Sequence, residues 1–302
     1  MTTPTRLGAF VLGLAAVFAG ALGAGRLAGP VAAEAVPDRG ATHSGQGEAA
    51  GDQAVVAAPG GLQVAERGYS LRLAAPTAPA GRSTLAFTVV GRDDRPVTAY
   101  QVTHEKELHL IVVQRDLSGY QHLHPVRDEA GTWSTPADLR PGTYRVFADF
   151  QPLGEAAGLT LGADLIVSGT ARPGLLPAPS GSDFVDDYEV TIHGELRAGA
   201  ASRLAFKVRR HGRVVTDLQP YLGAAGHLVA LRAGDLAYLH VHPVGNGLAF
   251  DAEVPSSGTY RLYLDFKHGD TVRTAEFTAV ASAAPPSPTP AATSGGPGGH
   301  GG

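Results

Sequence analysis

The segment Gly142–Phe150 reads Gly-Thr-Tyr-Arg-Val-Phe-Ala-Asp-Phe, and residues 258–266 read Gly-Thr-Tyr-Arg-Leu-Tyr-Leu-Asp-Phe. Each is a short run of aliphatic and aromatic residues that follows a turn-forming glycine, which is typical of a β-strand. In immunoglobulin-like sandwiches a tyrosine early in a late strand hydrogen-bonds back to the preceding corner, and Tyr144 and Tyr260 occupy that position. The two segments therefore indicate an all-β fold that occurs twice.

The repeat extends outward from these segments. Residues 108–113 (Leu-His-Leu-Ile-Val-Val) match residues 226–231 (Gly-His-Leu-Val-Ala-Leu), and the His-Leu-His-Pro of residues 122–125 matches the His-Val-His-Pro of residues 240–243. Short apolar runs alternate with Gly, Pro and Asp, and no segment shows a sustained apolar period of 3.6 residues. We predict two tandem immunoglobulin-like β-sandwich units.

The composition divides the chain around these units, which we place at residues 63–168 and 183–280. Residues 31–62 are rich in Ala, Gly and acidic or amide residues, residues 169–182 carry three prolines, and residues 281–302 consist mainly of Pro, Ala, Ser, Thr and Gly. Segments of this kind lack the apolar residues needed for a core, so we predict two disordered linkers and a disordered tail.

The first 30 residues have the pattern of an export signal. Arg6 precedes an apolar run over residues 7–25, as in the positive and hydrophobic regions of a signal peptide. The run is also close to the roughly 20 residues that span a bilayer as a helix. Residues 1–30 are therefore predicted to be a hydrophobic helix that serves as a cleaved signal peptide or a membrane anchor. Either function places the remainder outside the cytoplasm.

Two compositional features narrow the functional classes. The formal net charge is −4 and no long basic run is present, which argues against a nucleic-acid partner. The chain contains no cysteine and a single methionine, the first residue. Disulfides and a lipidated cysteine are therefore excluded, and so is a sulfur-rich site for Cu(I).

Three histidines recur in register in each unit. They are His109, His122 and His124 in the first unit and His227, His240 and His242 in the second. Residues two apart on a strand share a face, and the polar connection after residue 113 is predicted to close an antiparallel hairpin. Cross-strand neighbours have Cβ atoms about 4.5–5.5 Å apart. The spacing thus predicts one patch of three imidazoles in each unit.

Such a patch suits a divalent transition metal. Neutral imidazole is the commonest protein metal ligand, and three imidazoles suit Zn(II), Cu(II) or Ni(II). Asp149 and Asp265 occupy equivalent positions on a later strand, where they are expected to supply a fourth ligand or to orient a histidine. The alternative is structural: histidines on half-buried strands that hydrogen-bond to the backbone or to these carboxylates. His104 has no counterpart in the second unit and is interpreted as peripheral.

The quoted segments resemble a group of uncharacterised bacterial exported proteins with repeated His-x-His-Pro β-sandwich units. That group is similar to YtkA-like domains and to extracytoplasmic domains associated with copper and heavy metals. The resemblance covers most of both predicted units. It implies an immunoglobulin-like sandwich and an extracytoplasmic location, and it loosely implies metal handling.

The leading functional hypothesis is a non-enzymatic protein that buffers or delivers Cu(II) or Zn(II) outside the cytoplasm. Its partners would be the metal ion and, if residues 1–30 remain attached, the membrane; the sequence names no protein partner. The alternative is a structural or interaction module of the cell envelope that binds protein or glycan. A metal-dependent enzyme, which a three-histidine site with an open position would permit, ranks third because the sequence shows no deep-pocket signal and no general base.

Overall fold

The structure is a computed structural model that describes residues 59–239 and 241–283. Every regular element in these residues is a β-strand. The first sandwich comprises β1 (Ala65–Glu66), β2 (Tyr69–Leu73), β3 (Thr77–Ala78), β4 (Gly81–Val90), β5 (Leu108–Gln114), β6 (Gln121–Leu123), β7 (Val126–Arg127), β8 (Thr132–Leu139), β9 (Gly142–Phe150) and β10 (Leu159–Val167).

The strands of the first sandwich form two five-stranded sheets, in the orders β1-β2-β4-β8-β7 and β3-β10-β9-β5-β6. Neighbours are antiparallel except for β3 and β10. Residues from both sheets alternate inward and form one apolar core that includes Phe87, Trp133, Leu110 and Val146. Alternation of this kind is what a sandwich requires of each strand.

The second sandwich repeats this architecture. It comprises β11 (Ser182–Val185), β12 (Tyr188–His193), β13 (Leu196–Arg197), β14 (Ala201–Arg210), β15 (Arg213–Val214), β16 (Gly226–Arg232), β17 (Tyr238–Leu239), β18 (Val241–Pro243), β19 (Ala249–Glu253), β20 (Gly258–His268) and β21 (Thr271–Ser282). Its sheets run β11-β12-β14-β19-β18, with β15 beside β14, and β13-β21-β20-β16-β17. The prediction of an all-β chain with two tandem immunoglobulin-like sandwich units is confirmed.

The tyrosine at the start of each late strand makes the expected corner contact. The backbone N–H of Arg140 donates to the Tyr144 hydroxyl at 2.8 Å. In the second sandwich the Tyr260 hydroxyl donates to the Ser256 carbonyl at 2.7 Å. Both tyrosines are fully buried, so each ties the preceding corner to its core, as in immunoglobulin-like domains.

The two sandwiches lie within one compact unit and share a third apolar cluster. We call this cluster the seam; its buried members are Ile111, Val113, Leu117, Phe147, Val229, Leu231, Leu236, Tyr238 and Tyr263. Strand β5 is buried on both faces, because Leu110 points into its own sandwich and Ile111 points into the seam. The seam therefore packs the outer face of the β5 sheet against that of the β16 sheet.

Equivalent positions meet across the seam in a reciprocal manner. Tyr120 stacks on Tyr263 with ring centroids 3.9 Å apart. In the other direction, Tyr238 (equivalent to Tyr120) contacts Phe147 (equivalent to Tyr263), with ring centroids 5.6 Å apart. The Tyr263 hydroxyl also donates to the Leu117 carbonyl at 2.6 Å. This exchange resembles the self-complementary contact of a two-fold symmetric dimer, here formed by two parts of one chain.

Two segments assigned to linkers by composition also pack on the sandwiches. The Gly60 carbonyl accepts from the backbone N–H of Tyr238, at 2.9 Å, and Gly61 N–H donates to the Thr160 carbonyl at 2.7 Å. Leu176, from the second predicted linker, packs against the seam. Tertiary contacts thus order residues whose composition favours disorder.

The hydrophobic helix predicted at residues 1–30 lies outside the described residues, as do most of the 31–62 linker and most of the 281–302 tail. Over residues 59–239 and 241–283 no helix is long and apolar enough to cross a membrane.

Candidate metal centre at the seam

The three histidines of the first sandwich meet as the hairpin predicts. Strands β5 and β6 pair with Ile111 opposite His122, and the His109 ring centroid is 5.3 Å from that of His122 and 5.3 Å from that of His124. The centroids of His122 and His124 are 4.8 Å apart. Leu123, between the last two, packs into the sandwich core, which leaves the imidazoles on the seam side.

A fourth histidine joins them from the second sandwich. The His227 centroid is 4.7 Å from that of His122 and 5.6 Å from that of His109, whose ring it stacks on. One ring nitrogen from each of His109, His122 and His227 lies within 4.8 Å of the others. We refer to these three residues as the seam centre.

The second patch was predicted to be separate from the first, but the structure places His227 beside His109 and His122. His227 faces the histidines of the first sandwich, because the seam brings β16 against β5. His242 lies on β18, which pairs with β19 of the opposite sheet and places His242 across from Asp251. Its side chain is exposed. His240 lies outside the described residues.

The two predicted carboxylates occupy equivalent places, but only one hydrogen-bonds to a member of the seam centre. Asp265, on β20, is opposite His227 on β16, and its Oδ2 atom lies 2.7 Å from His122 Nδ1 of the other sandwich. The Thr274 hydroxyl donates to its Oδ1 atom at 2.6 Å. Asp149 is opposite His109 and accepts from the Thr160 hydroxyl at 3.0 Å. Asp265 thus contacts a histidine of the other sandwich, and the ligand and orienting roles expected of the two carboxylates stay predictions.

The hydrogen-bond partners determine which nitrogens carry lone pairs. His109 Nε2 lies 3.1 Å from the Thr103 carbonyl, which only accepts, so Nε2 carries the proton. His122 Nδ1 donates to the Asp265 carboxylate for the same reason. In the neutral rings, His109 Nδ1 and His122 Nε2 are then both acceptors, and they face each other at 3.1 Å. Two lone pairs at that distance repel each other unless a proton or a metal ion lies between them.

The remaining nitrogens of the cluster support the same interpretation. The buried Nδ1 of His227 and the buried Nε2 of His124 have no hydrogen-bond partner among the described residues. An unsatisfied buried polar atom is costly and calls for an explanation. Two nitrogens on a tetrahedral zinc ion with bonds of about 2.0 Å lie about 3.3 Å apart, close to the 3.1 Å between His109 and His122.

Burial keeps these imidazoles neutral. It lowers the pKa of His122 and that of His124 to about 3, with a further contribution from neighbouring histidines. Burial also lowers the pKa of His109 and of His227. It raises the pKa of Asp265 to about 6, so near pH 7 a neutral His122 donates to an ionised carboxylate.

A cavity of about 130 Å³ adjoins the seam centre. Its polar lining residues come from both sandwiches and are Thr103, His104, Asp149, Gln151, His227, Tyr238 and His242. The ring of His104 lies 6.1 Å from that of His109 and 5.8 Å from that of His227. His104, interpreted from the sequence as peripheral, therefore stands beside the candidate centre.

A family model described as a domain of unknown function, DUF8832, matches residues 63–163 and again residues 183–283. This chain belongs to the DUF8832 family. The two matches correspond to the two sandwiches, so the internal repeat is a pair of consecutive DUF8832 domains. No curated protein matches the chain.

Solved structures with a similar arrangement of strands are distant from this DUF8832 chain. A mutant of Salmonella alpha-2-macroglobulin is 11% identical over 76% of this chain and 15% of its own, with a TM-score of 0.23. The mouse nectin-like molecule 4 ectodomain is 14% identical over 75% and 65%, with a TM-score of 0.20. Invasin, a bacterial integrin-binding protein, is 14% identical over 70% and 39%, with a TM-score of 0.20. The chain spans less than two thirds of each, and these scores carry no functional inference.

The two DUF8832 domains contribute unequally to the seam centre. The first supplies His109 and His122, and the second supplies His227 together with the orienting Asp265. Sequence reasoning missed Thr103, whose carbonyl sets the His109 tautomer. A backbone carbonyl leaves no signal in a sequence. The sequence interpretation also treated His104 as peripheral, although a histidine five residues before His109 was a visible signal.

Proposed function

We propose that this chain is a non-enzymatic metal-binding protein that holds one divalent ion, Cu(II) or Zn(II), between its two DUF8832 domains. The observation that carries the proposal is the pair of facing lone pairs on His109 Nδ1 and His122 Nε2, 3.1 Å apart, with His227 in reach of both. Imidazole ligands of this kind suit Zn(II) and Cu(II).

The surroundings of the centre favour storage or delivery over catalysis. His109 is 2% exposed and the His122 side chain 3%, so a bound ion would be shielded from bulk water. The export pattern of residues 1–30 and the resemblance to YtkA-like domains favour action outside the cytoplasm, in secreted or membrane-anchored form. We infer that the chain buffers the ion or delivers it there.

Competitive titration of the full chain with Cu(II) and Zn(II) at pH 7.5 tests this proposal. The unaltered chain should bind one ion tightly. His109→Ala and His227→Ala should each weaken binding at least about 100-fold, because loss of an outer-shell partner alone costs 10–100-fold. His193→Ala, an exposed histidine of the second sandwich, should have no effect. If the unaltered chain takes up neither metal, the histidines are packing residues and the envelope interaction module becomes the better account.

A further inference from the structure

The seam centre is buried, yet one of its members reaches a cavity. Of the three histidines, only His227 also lines the cavity of about 130 Å³ between the sandwiches. His109 and His122 lie behind it. An ion that arrives from solvent through this cavity would therefore meet His227 before the two facing nitrogens.

The rest of the cavity wall carries ligands suited to the same ions. His104 and Asp149 come from the first sandwich and His242 from the second. Both of these histidines are exposed, whereas Asp149 is half-buried. Imidazole and carboxylate are both ligand types that Zn(II) and Cu(II) accept. The cavity thus presents metal-binding groups at its solvent side as well as at its inner wall.

The turn that carries His104 is held in an uncommon conformation and is linked to the seam centre. His104 and Glu105 have φ angles of 49° and 64°, a region that residues other than glycine rarely adopt. Thr103 and Lys106 exchange backbone hydrogen bonds of 2.8 and 3.1 Å across this turn. The Thr103 carbonyl also accepts from His109. Two residues with positive φ closed by reciprocal backbone hydrogen bonds are typical of a tight hairpin turn, so this turn fixes the position of His104 relative to His109.

We propose that this cavity is the access route of the seam centre, and that His104, Asp149 and His242 along its wall capture the incoming ion before it reaches His227. The ion then passes to His227 and onward to His109 and His122 by exchange of one ligand for another. At each step one ligand of the ion (a bound water, a carboxylate or an imidazole) leaves as another binds, so no electron transfer and no other reactant is involved. This inference rests on the proposed function.

Stopped-flow mixing of Zn(II) with the full chain, followed with a chromophoric chelator, tests the route. The double variant His104→Ala/His242→Ala should bind Zn(II) at least tenfold more slowly and release it more slowly by a similar factor. Its equilibrium affinity should change less than threefold. The matched control His193→Ala/His211→Ala removes two exposed histidines of the second sandwich and should change neither rate. Asp149→Asn should slow uptake in the same direction as the double variant.

The outcomes separate the two proposals. Unchanged association in the double variant, with normal affinity, would overturn the access route and leave the proposed function intact. Loss of affinity as large as that of His109→Ala would also overturn it, because His104 and His242 would then be ligands of the centre itself. Absence of uptake by the unaltered chain would overturn both. Thermal melting of each variant without metal establishes that the sandwiches are folded.

Discussion

Replacing Asp265 with asparagine should change metal affinity and metal-free stability in opposite directions. The carboxylate is 1% exposed and accepts hydrogen bonds from His122 and from Thr274. It thereby directs the His122 Nε2 lone pair toward His109. An asparagine amide has one acceptor and one donor group. When the amide N–H faces His122, the ring must carry its proton on Nε2, which blocks the metal position.

The magnitudes follow from burial and from the orienting role. Loss of a group that orients a metal-binding histidine costs about 10–100-fold in affinity, or about 1.4–2.7 kcal/mol. Burial raises the pKa of Asp265 from 3.8 to about 6. At about 1.4 kcal/mol per pH unit, keeping it ionised near pH 7 costs the metal-free fold about 3 kcal/mol. Asparagine removes this cost, so the metal-free variant should melt several degrees higher.

Two measurements check this prediction: competitive metal titration, and thermal melting at pH 7.5 with a chelator present. Asp187→Asn, which removes an exposed carboxylate of the second sandwich, is the charge control and should leave affinity unchanged. Unaltered affinity in Asp265→Asn would refute the orienting role. A lower melting temperature without metal would refute the neutral state of His122, since the carboxylate would then be stabilising an imidazolium.

Two further predictions concern the metal-free fold. Unfolded histidines take up protons near pH 6.5, whereas His122 resists protonation to a pKa of about 3. The free energy of unfolding should therefore fall by about 1.4 kcal/mol per pH unit below 6.5 for each such histidine. Between pH 6 and 3.8 the folded protein binds a proton at Asp265, which offsets the loss of stability from one histidine. Urea unfolding at pH 7, 6 and 5 measures the net change in the free energy of unfolding. A free energy of unfolding that does not change with pH would contradict the buried neutral cluster. Tyr263→Phe should cost about 1–3 kcal/mol because it leaves the buried Leu117 carbonyl unpaired. Tyr120→Phe should leave the free energy of unfolding unchanged, since that hydroxyl has no partner among the described residues. Equal losses of unfolding free energy in the two variants, measured by urea unfolding, would contradict the hydrogen bond from Tyr263 to Leu117.

The sequence predicted most of the fold because its signals are local or repeated. The Gly-Thr-Tyr steps at Tyr144 and Tyr260 identify the corner of each sandwich, and the alternation around Leu123 predicts which side of β6 carries His122 and His124. The corner depends on turn-forming residues and the side-chain direction depends on the two-residue alternation of a strand, and a few neighbouring residues determine both. The convergence of the first three imidazoles followed from that register.

The sequence did not predict that the two sandwiches share one centre. Ile111 and Val113 make β5 apolar on both faces, which is typical of any strand covered on both sides and does not identify what covers it. Nothing local indicates that His227 will face His122, because that contact depends on how two complete sheets pack. Repetition itself favoured the wrong interpretation, since equivalent residues suggest equivalent and separate sites. The Asp265 contact across the seam is non-local in the same way.

Anomalous diffraction from crystals of the chain grown with Zn(II) is the most direct test of the shared centre. We expect one strong peak per chain, within about 2.0–2.1 Å of His109 Nδ1, His122 Nε2 and one ring nitrogen of His227. Two peaks of equal strength, one confined to each sandwich, would contradict it, as would a seam without a peak.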